Sequence, residues 1–157
     1  MTRFLSTLVA ALCAAAMAAV ASARGPIIGI VSHPIAKHGE YISASYVKWV
    51  EMGGGRVVPI PYNAPKEYIK TLVPQLNGIL FMGGAADVND AHRYIYDLAI
   101  ELNDKGVYYP VWGTCLGFEW LLQITAGDVD ALDSGLDSEN ITLPLNFTEL
   151  APQSRLF

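Results

Sequence analysis

One stretch decides the fold of this chain: Trp112-Gly113-Thr114-Cys115-Leu116-Gly117-Phe118-Glu119. An apolar run over residues 107–112 leads into it, and a helical pattern of apolar residues follows. A cysteine flanked by glycines at a strand-to-helix junction is typical of a nucleophile elbow. The glycines are required because a side chain two positions from the nucleophile would collide with the neighbouring strand or helix. The pattern predicts that the Cys115 sulfur stands at a helix amino terminus, which favours the thiolate. A buried cysteine in an ordinary strand-turn-helix is the alternative.

The composition fits one soluble domain. The chain has 157 residues, enough for a single hydrophobic core and too few for two domains of ordinary size. Its formal net charge of −5 gives no indication of a nucleic-acid partner. The two cysteines, Cys13 and Cys115, do not make a disulfide framework.

Residues 1–23 are typical of a secretory signal peptide, which leaves residues 24–157 as the domain. Arg3 supplies positive charge, residues 4–20 are apolar, and Ala21-Ser22-Ala23 is a small-x-small cleavage site. The alternative is an uncleaved membrane anchor, but the alanine-rich run is only marginally long enough to span a bilayer. Removal of the peptide leaves no stable membrane association and takes Cys13 away. Cys115 then has no partner cysteine in the chain, which favours a reactive role.

Strand and helix patterns alternate before the elbow. The predicted strands cover residues 26–32, 57–60, 79–82 and 107–112. The first predicted helix covers residues 41–52, with Ile42, Tyr46, Trp49 and Val50 on one face. The second is capped by Asn63, has Pro65 in its first turn and turns Ile69, Leu72, Val73 and Leu76 inward. The third begins at Asp90 and turns Ala91, Ile95, Leu98 and Leu102 inward. This order predicts an α/β fold in which helices cover both faces of a parallel sheet. Pro59 places the second strand at an edge.

Ligands of such sheets bind beyond the carboxyl ends of the strands. Three features follow strands there: Ser32-His33, Gly83-Gly84 and Cys115. A glycine pair lets backbone N–H groups face a substrate, so one of them and the N–H of Leu116 are predicted to form an oxyanion hole. A plain tight turn is the alternative for the pair. No metal cluster or phosphate loop is visible, and no cofactor is expected.

Four segments resemble the gamma-glutamyl hydrolase family of folate polyglutamate peptidases: YISASYVK at 41–48, NGILFMGG at 77–84, PVWGTCLGFE at 110–119 and LPLNFT at 143–148. The resemblance runs from about Pro26 to the last residue. It implies a flavodoxin-like, class I glutamine-amidotransferase-like fold. It also implies hydrolysis of gamma-glutamyl bonds in a small-molecule substrate, a folate poly-gamma-glutamate.

The resemblance also implies roles for individual residues. Cys115 would attack the gamma-glutamyl carbonyl to form a thioester, with Gly84 and Leu116 as oxyanion donors. Three further residues, Tyr46, Gly83 and Glu119, would lie near the substrate. The alternatives are that Tyr46 is a core residue of an amphipathic helix and that Glu119 is a favourable charge in the first turn of a helix.

The sequence departs from the family in one respect. The family's catalytic base is a histidine in a Trp-His-Pro-Glu type segment downstream of the elbow, whereas the histidines here are His33, His38 and His92. We therefore expect the amino-terminal part of such a domain, truncated after the nucleophile half, with little activity by itself. The fourth strand is then expected to have an unpaired edge and uncovered apolar surface.

Two sequons, at Asn140 and Asn146, are candidate glycosylation sites in a chain that enters the secretory pathway. With the signal peptide, they predict an extracellular, lysosomal or vacuolar location. Two other functions stay open: a catalytically inactive form that binds gamma-glutamyl ligands or a partner, and a glutamine amidotransferase domain. The oligomeric state also stays open, including a homodimer.

Overall fold

The computed structural model describes residues 25–35, 39–137 and 139–154, so the predicted signal peptide and His38 lie outside the described residues. The strands are β1 (Ile27–Val31), β2 (His33–Ile35), β3 (Gly39–Tyr41), β4 (Arg56–Ile60), β5 (Gly78–Phe81) and β6 (Val111–Gly113). The helices are α1 (Ala44–Met52), α2 (Lys66–Leu72), α3 (Asp90–Asp104) and α4 (Leu116–Ala126), with short 3-10 turns at Val73–Gln75 and Ala151–Gln153.

Four of the strands form one parallel sheet in the order β4-β1-β5-β6. Counted along the chain these are the second, first, third and fourth strands of the sheet, which is the flavodoxin-like order. The order reverses between β1 and β5, so the ligand crevice is expected at the carboxyl ends of these two strands. The predicted α/β class is confirmed, and β4, which contains Pro59, is an edge strand as predicted.

Helices cover both faces of the sheet because its strands alternate apolar side chains. Ile30 and Leu80 pack with α1 on one face, whereas Val31 and Phe81 pack with α2, α3 and α4 on the other. All four residues of β5 are buried, as expected of a strand covered on both sides. Among the described helices, none is long and apolar enough to cross a membrane.

Helix α1 begins later than the sequence pattern predicts. Residues 39–41, of which Tyr41 was expected in the helix, instead form β3 of an antiparallel hairpin in which His33 pairs with Tyr41. The Glu40 carboxylate accepts hydrogen bonds from the Ser32 hydroxyl and the Tyr62 N–H, and these bonds tie the hairpin to the sheet. Trp49, predicted on the inner face, is 51% exposed and contacts Trp112 with ring centroids 6.0 Å apart.

Two other boundaries differ from the prediction. Pro65, not Asn63, is the residue that precedes α2, and the Asn63 side chain instead accepts a hydrogen bond from Asn89. The fourth strand of the parallel sheet, predicted over residues 107–112, is only Val111–Gly113. The Asn103 side chain bonds both the N–H and the carbonyl of Tyr109, which diverts this backbone from the sheet.

Strand β6 is the other edge of the sheet among the described residues. Beside it, a groove of about 350 Å³ opens between α1 and the sheet. Ile28, Leu80, Trp49 and Trp112 are among its apolar lining residues. The expectation of apolar surface left uncovered beside the fourth strand therefore matches the described part of the chain.

Candidate active site

Cys115 lies at the junction of β6 and α4 in a strained backbone conformation. Its φ is 53° and its ψ is −122°, a region that residues with a side chain rarely adopt. The side chain is exposed and the thiol is free. Strained residues of this kind concentrate at functional sites, where the surrounding structure holds them in place.

The two flanking glycines are required by the close approach of backbone segments. A Cβ on Gly117 would lie 2.0 Å from the carbonyl oxygen of Phe81, and a Cβ on Gly113 would lie 2.5 Å from the carbonyl oxygen of Gly117. Real Cβ atoms do not approach backbone this closely. Strand β5, the elbow and the first turn of α4 are therefore packed backbone against backbone, as the glycine spacing predicts.

Among the described residues, one backbone N–H group in the first turn of α4 has no hydrogen-bond partner, and it lies next to the cysteine in the chain. The N–H groups of Phe118 and Glu119 bond the Cys115 carbonyl, and that of Gly117 bonds the Thr114 carbonyl. Within the described residues, the N–H of Leu116 has no partner. A free helix N–H next to an exposed sulfur is the group that an oxyanion or a thiolate would use.

The loop after β5 meets the elbow directly. The N–H of Gly83 donates to the Tyr46 hydroxyl at 3.0 Å. A Cβ on Gly83 would lie 2.8 Å from that hydroxyl oxygen and 3.0 Å from the Cβ of Cys115. The structure thus brings Tyr46, Gly83 and Cys115 together. The Gly83 amide is thus bonded within the protein, whereas the Gly84 N–H has no partner among the described residues.

A cavity of about 490 Å³ opens beside the first turn of α4. Four residues line it from the helix, namely Leu116, Glu119, Trp120 and Gln123, and the rest of its lining is Ala86, Asp87, Val88, Val129 and Asp130. Three of these residues are carboxylates and none is Lys or Arg, so the cavity favours N–H donors over anions. Sequence patterns gave no signal for Asp87 or Asp130, because both reach the cavity only through tertiary packing.

Neither described histidine is exposed. His33, predicted in a loop at this edge of the sheet, begins β2, is 0% exposed, and bonds the Met82 carbonyl through Nε2 at 3.2 Å. His92, also 0% exposed, accepts from the Asn89 N–H through Nδ1. Both rings stack on Trp120, with centroids 4.8 Å away for His33 and 4.1 Å for His92. Burial lowers the pKa of both, that of His92 to about 3, so both are neutral.

The two predicted glycosylation positions lie in the segment after α4. Among the described residues of that segment the one regular element is the 3-10 turn at Ala151–Gln153, and Asn140 and Asn146 are exposed. The described residues contain no group of three or more His, Cys, Asp or Glu side chains placed to hold a metal ion.

Comparison with known proteins identifies the family. Residues 26–131 match the Peptidase C26 family. The chain belongs to this family. Its fold is therefore of the class I glutamine-amidotransferase-like type, as the sheet order also indicates.

The named relatives agree with the resemblance seen in the sequence. The chain is 41% identical over 143 residues to gamma-glutamyl hydrolase B of Dictyostelium discoideum, with 83% of this chain and 41% of the relative covered. It is 39% identical over 147 residues to the human gamma-glutamyl hydrolase, with 87% of this chain and 46% of the relative covered. For the mouse gamma-glutamyl hydrolase the values are 42% over 142 residues, 84% and 44%. The chain spans less than half the length of these relatives.

Proposed function

We propose that this Peptidase C26 chain carries the nucleophile of a cysteine-type gamma-glutamyl hydrolase. The observation that carries the proposal is the strained, exposed Cys115 next to the free N–H of Leu116 and the glycine loop after β5. The names of the relatives support the same reaction class. A folate poly-gamma-glutamate is the proposed substrate.

The chemistry begins with attack of the Cys115 sulfur on the gamma-glutamyl carbonyl carbon. The carbonyl oxygen becomes an oxyanion, and the N–H groups of Leu116 and Gly84 stabilise it. The C–N bond then breaks, the leaving amine takes a proton, and a thioester remains for water to hydrolyse. Because both described histidines are buried, neutral and bonded to backbone, we assign the proton transfer to neither of them.

The substrate's α-carbon substituents have partners of matching chemistry. The Tyr46 oxygen accepts from Gly83, which leaves its O–H proton to donate to a substrate carboxylate. Glu119 lines the acidic cavity and is suited to accept from the N–H on the substrate's α-carbon. Glu119 also occupies the first turn of α4, where a carboxylate interacts favourably with the helix dipole.

A second candidate is a catalytically inactive form that binds the gamma-glutamyl ligand and takes up its acyl group on Cys115 without turnover. The burial of His33 and His92 favours it, since neither can act as a base at the sulfur while buried. The two candidates share the first chemical step and differ in the second. An activated substrate separates them because a good leaving group does not need a proton.

The test uses the γ-p-nitrophenyl ester of N-benzoyl-glutamate, whose amide copies the amide-linked α-nitrogen of a folate. In the first step the C–S bond forms, the C–O bond breaks, p-nitrophenolate leaves and the thiol proton passes to solvent. We expect a saturable burst of about one p-nitrophenolate per chain and a thioester on Cys115 by mass spectrometry. A burst followed by turnover supports the hydrolase, and a burst alone supports the second candidate. No burst would contradict both.

The matched control is Cys115→Gly, which removes the sulfur and relieves the strained backbone. Strain of this type costs on the order of 1–3 kcal/mol, so the variant should be at least as stable as the parent. Its loss of the burst then cannot be caused by unfolding. A burst that survives in Cys115→Gly would show that another group reacts.

We also propose that the chain passes through the secretory pathway to an extracellular, lysosomal or vacuolar site and is glycosylated at Asn140 and Asn146. The exposure of both asparagines supports this, because the acceptor must be accessible. Expressed in a eukaryotic secretory host, the chain should begin at Arg24 by amino-terminal sequencing. An N-glycosidase should increase its mobility, and replacing both asparagines by Gln should remove that change. A chain that retains Met1 would contradict the proposal.

A further inference from the structure

We propose that His33 is a positioning residue for the oxyanion loop, defined as residues 82–84. It would fix the Gly84 amide relative to Cys115 without touching the substrate. The inference rests on the proposed function, and no step of that chemistry uses His33. Three sets of contacts carry the argument: those to the loop, to the nucleophile helix and to the sheet.

The imidazole holds the oxyanion loop at two points. Its Nε2 bonds the Met82 carbonyl at 3.2 Å, which indicates the neutral tautomer with the proton on Nε2. The ring also lies directly against Gly84, where a Cβ would be 2.5 Å from Nδ1 and 2.7 Å from Cε1. The loop is therefore bonded at Met82 and in contact at Gly84. The Gly83 amide between them is held by Tyr46.

The same ring contacts the helix that carries the nucleophile. It stacks on Trp120 of α4 at 4.8 Å with an interplanar angle of 10°. The Trp120 indole N–H in turn donates to the Ala86 carbonyl at 3.1 Å, just beyond the oxyanion loop. His33 and Trp120 thus join the two backbone segments that supply the proposed oxyanion donors, Gly84 and Leu116.

The backbone at His33 is held in place by its attachment to the parallel sheet and to the β2–β3 hairpin. His33 follows β1 after one residue and pairs with Tyr41 in the β2–β3 hairpin. The preceding residue, Ser32, donates through its N–H to the Ile60 carbonyl of β4 and through its hydroxyl to the Glu40 carboxylate of β3. A fully buried ring attached to such a backbone has little freedom to move, and misplacement of a catalytic group by about 1 Å can cost about 100-fold in rate.

The test compares two amide side chains at position 33. In His33→Gln the amide nitrogen takes the place of Nε2 and still reaches the Met82 carbonyl, whereas in His33→Asn it is too short. The control is His92→Asn, which makes the same substitution on the other buried histidine that stacks on Trp120 but bonds Asn89 rather than the loop. A purely structural role for His33 would give His33→Asn and His92→Asn the same phenotype.

The expected results separate positioning from stability. With the p-nitrophenyl ester, we expect His33→Asn to lower the acylation rate constant about 10- to 100-fold with little change in the half-saturating ester concentration. His33→Gln should stay within about threefold of the parent, and His92→Asn should lose stability but not acylation rate. Alkylation of Cys115 by iodoacetamide, which forms no oxyanion, should be unchanged in all three variants. Equal acylation rates in His33→Asn and His92→Asn would overturn the inference.

Amide hydrogen exchange gives a readout that does not depend on catalysis. We expect the Gly83 amide, protected by its bond to Tyr46, to exchange faster in His33→Asn than in the parent or in His92→Asn. Unchanged exchange at residues 82–84 would overturn the inference even in a fully active protein. If the parent shows no acylation at all, the proposed function fails, while this exchange comparison still decides whether His33 positions the loop.

Discussion

Replacing Gly117 by Ala is expected to abolish acylation of Cys115 and to remove several kcal/mol of folding stability. The new Cβ would lie 2.0 Å from the Phe81 carbonyl oxygen, 2.5 Å from its carbon and 2.8 Å from the Phe81 Cβ. Strand β5 is buried along its whole length and cannot move away. Helix α4 must therefore shift, and the Leu116 amide and the Cys115 sulfur shift with it.

Whether Gly117→Ala raises or lowers the free energy of unfolding depends on which of two opposing contributions is larger. Alanine is better than glycine in a helix by about 1 kcal/mol, so helix propensity alone would make the variant more stable. Overpacking of a well-packed interior costs about 1–3 kcal/mol and more when the obstacle is backbone. The collision dominates because a Cβ cannot rotate away from its own backbone and the nearest atoms that it meets belong to the main chain of Phe81. Urea unfolding followed by tryptophan fluorescence measures the stability, and the ester burst measures the site.

Gly53→Ala is the control for the loss of a glycine as such. Gly53 has a φ of −78°, and the nearest atom to an added Cβ is 3.4 Å away, which is ordinary contact. This variant should change stability by less than about 1 kcal/mol and leave the burst intact. If Gly117→Ala behaves like Gly53→Ala, the glycine spacing of the elbow is not explained by crowding.

The elbow and the sheet order were accessible to sequence reasoning because they depend on local rules. Some residue types restrict the backbone conformation directly, and their positions can be read from the sequence. Here they are the two glycines around Cys115, the proline at position 59 and the turn residues that bound the short apolar runs. The cap of α3 is similar: the helix predicted to open at Asp90 does so, with the Asn89 side chain accepting from the Ala91 and His92 N–H groups.

The features that sequence reasoning missed depend on partners that are distant along the chain. Tyr41 belongs to the hairpin rather than to α1 because the neighbouring Glu40 accepts hydrogen bonds from Ser32 and Tyr62, which hold β3 against the sheet. Asn103 shortens β6 by binding the backbone of Tyr109. A single polar side chain that competes for backbone groups leaves no periodic signal. Element boundaries of this kind therefore cannot be read from patterns.

In the candidate site, too, some features follow from local sequence patterns and others depend on contacts between distant parts of the chain. Cys115, Leu116 and the glycine pair follow strands and could be placed at one sheet edge from topology alone. The hydrogen bond from the Gly83 amide to the Tyr46 hydroxyl joins α1 to that edge and was not predicted, although the family resemblance implied that both residues lie near the substrate. The stacking of His33 and His92 on Trp120 joins residues from β2, α3 and α4, and no spacing along the sequence indicates it.

The second large effect is expected from acid. Burial, together with the nearby His33, lowers the pKa of His92 to about 3, from 6.5 when it is exposed to water. Burial lowers the pKa of His33 as well. Below pH 6.5 the unfolded chain takes up a proton at His92, and the folded chain does not until the pH approaches 3. The contribution of the neutral His92 to the free energy of unfolding is therefore complete above pH 6.5 and decreases as the pH falls toward 3.

The expected size is large for a domain of this length. Each proton taken up only by the unfolded chain costs about 1.4 kcal/mol per pH unit, so His92 alone accounts for about 3 kcal/mol between pH 6.5 and pH 4. A typical domain has about 5–15 kcal/mol in total. The groups packed on His92 are the rings of Tyr62, Phe81 and Trp120, and those on His33 are Tyr41, Trp120 and the Met82 carbonyl. None of these groups is a carboxylate that would stabilise a charged imidazole.

Urea unfolding at pH 7, 6, 5 and 4 measures how the free energy of unfolding depends on pH, and the His92→Gln variant shows how much of that dependence comes from His92. Glutamine at the third position of a helix still accepts a hydrogen bond from the capping residue, so the variant keeps the bond to the Asn89 N–H and loses only the titrating group. Its unfolding free energy should fall less steeply with acid, by about 1.4 kcal/mol per pH unit. An unchanged slope would mean that His92 is not kept neutral in the folded protein. A reduced slope would show that His92, stacked on Trp120 beneath the proposed active site, is uncharged in the folded protein, and that stability falls in acid because the unfolded chain takes up its proton.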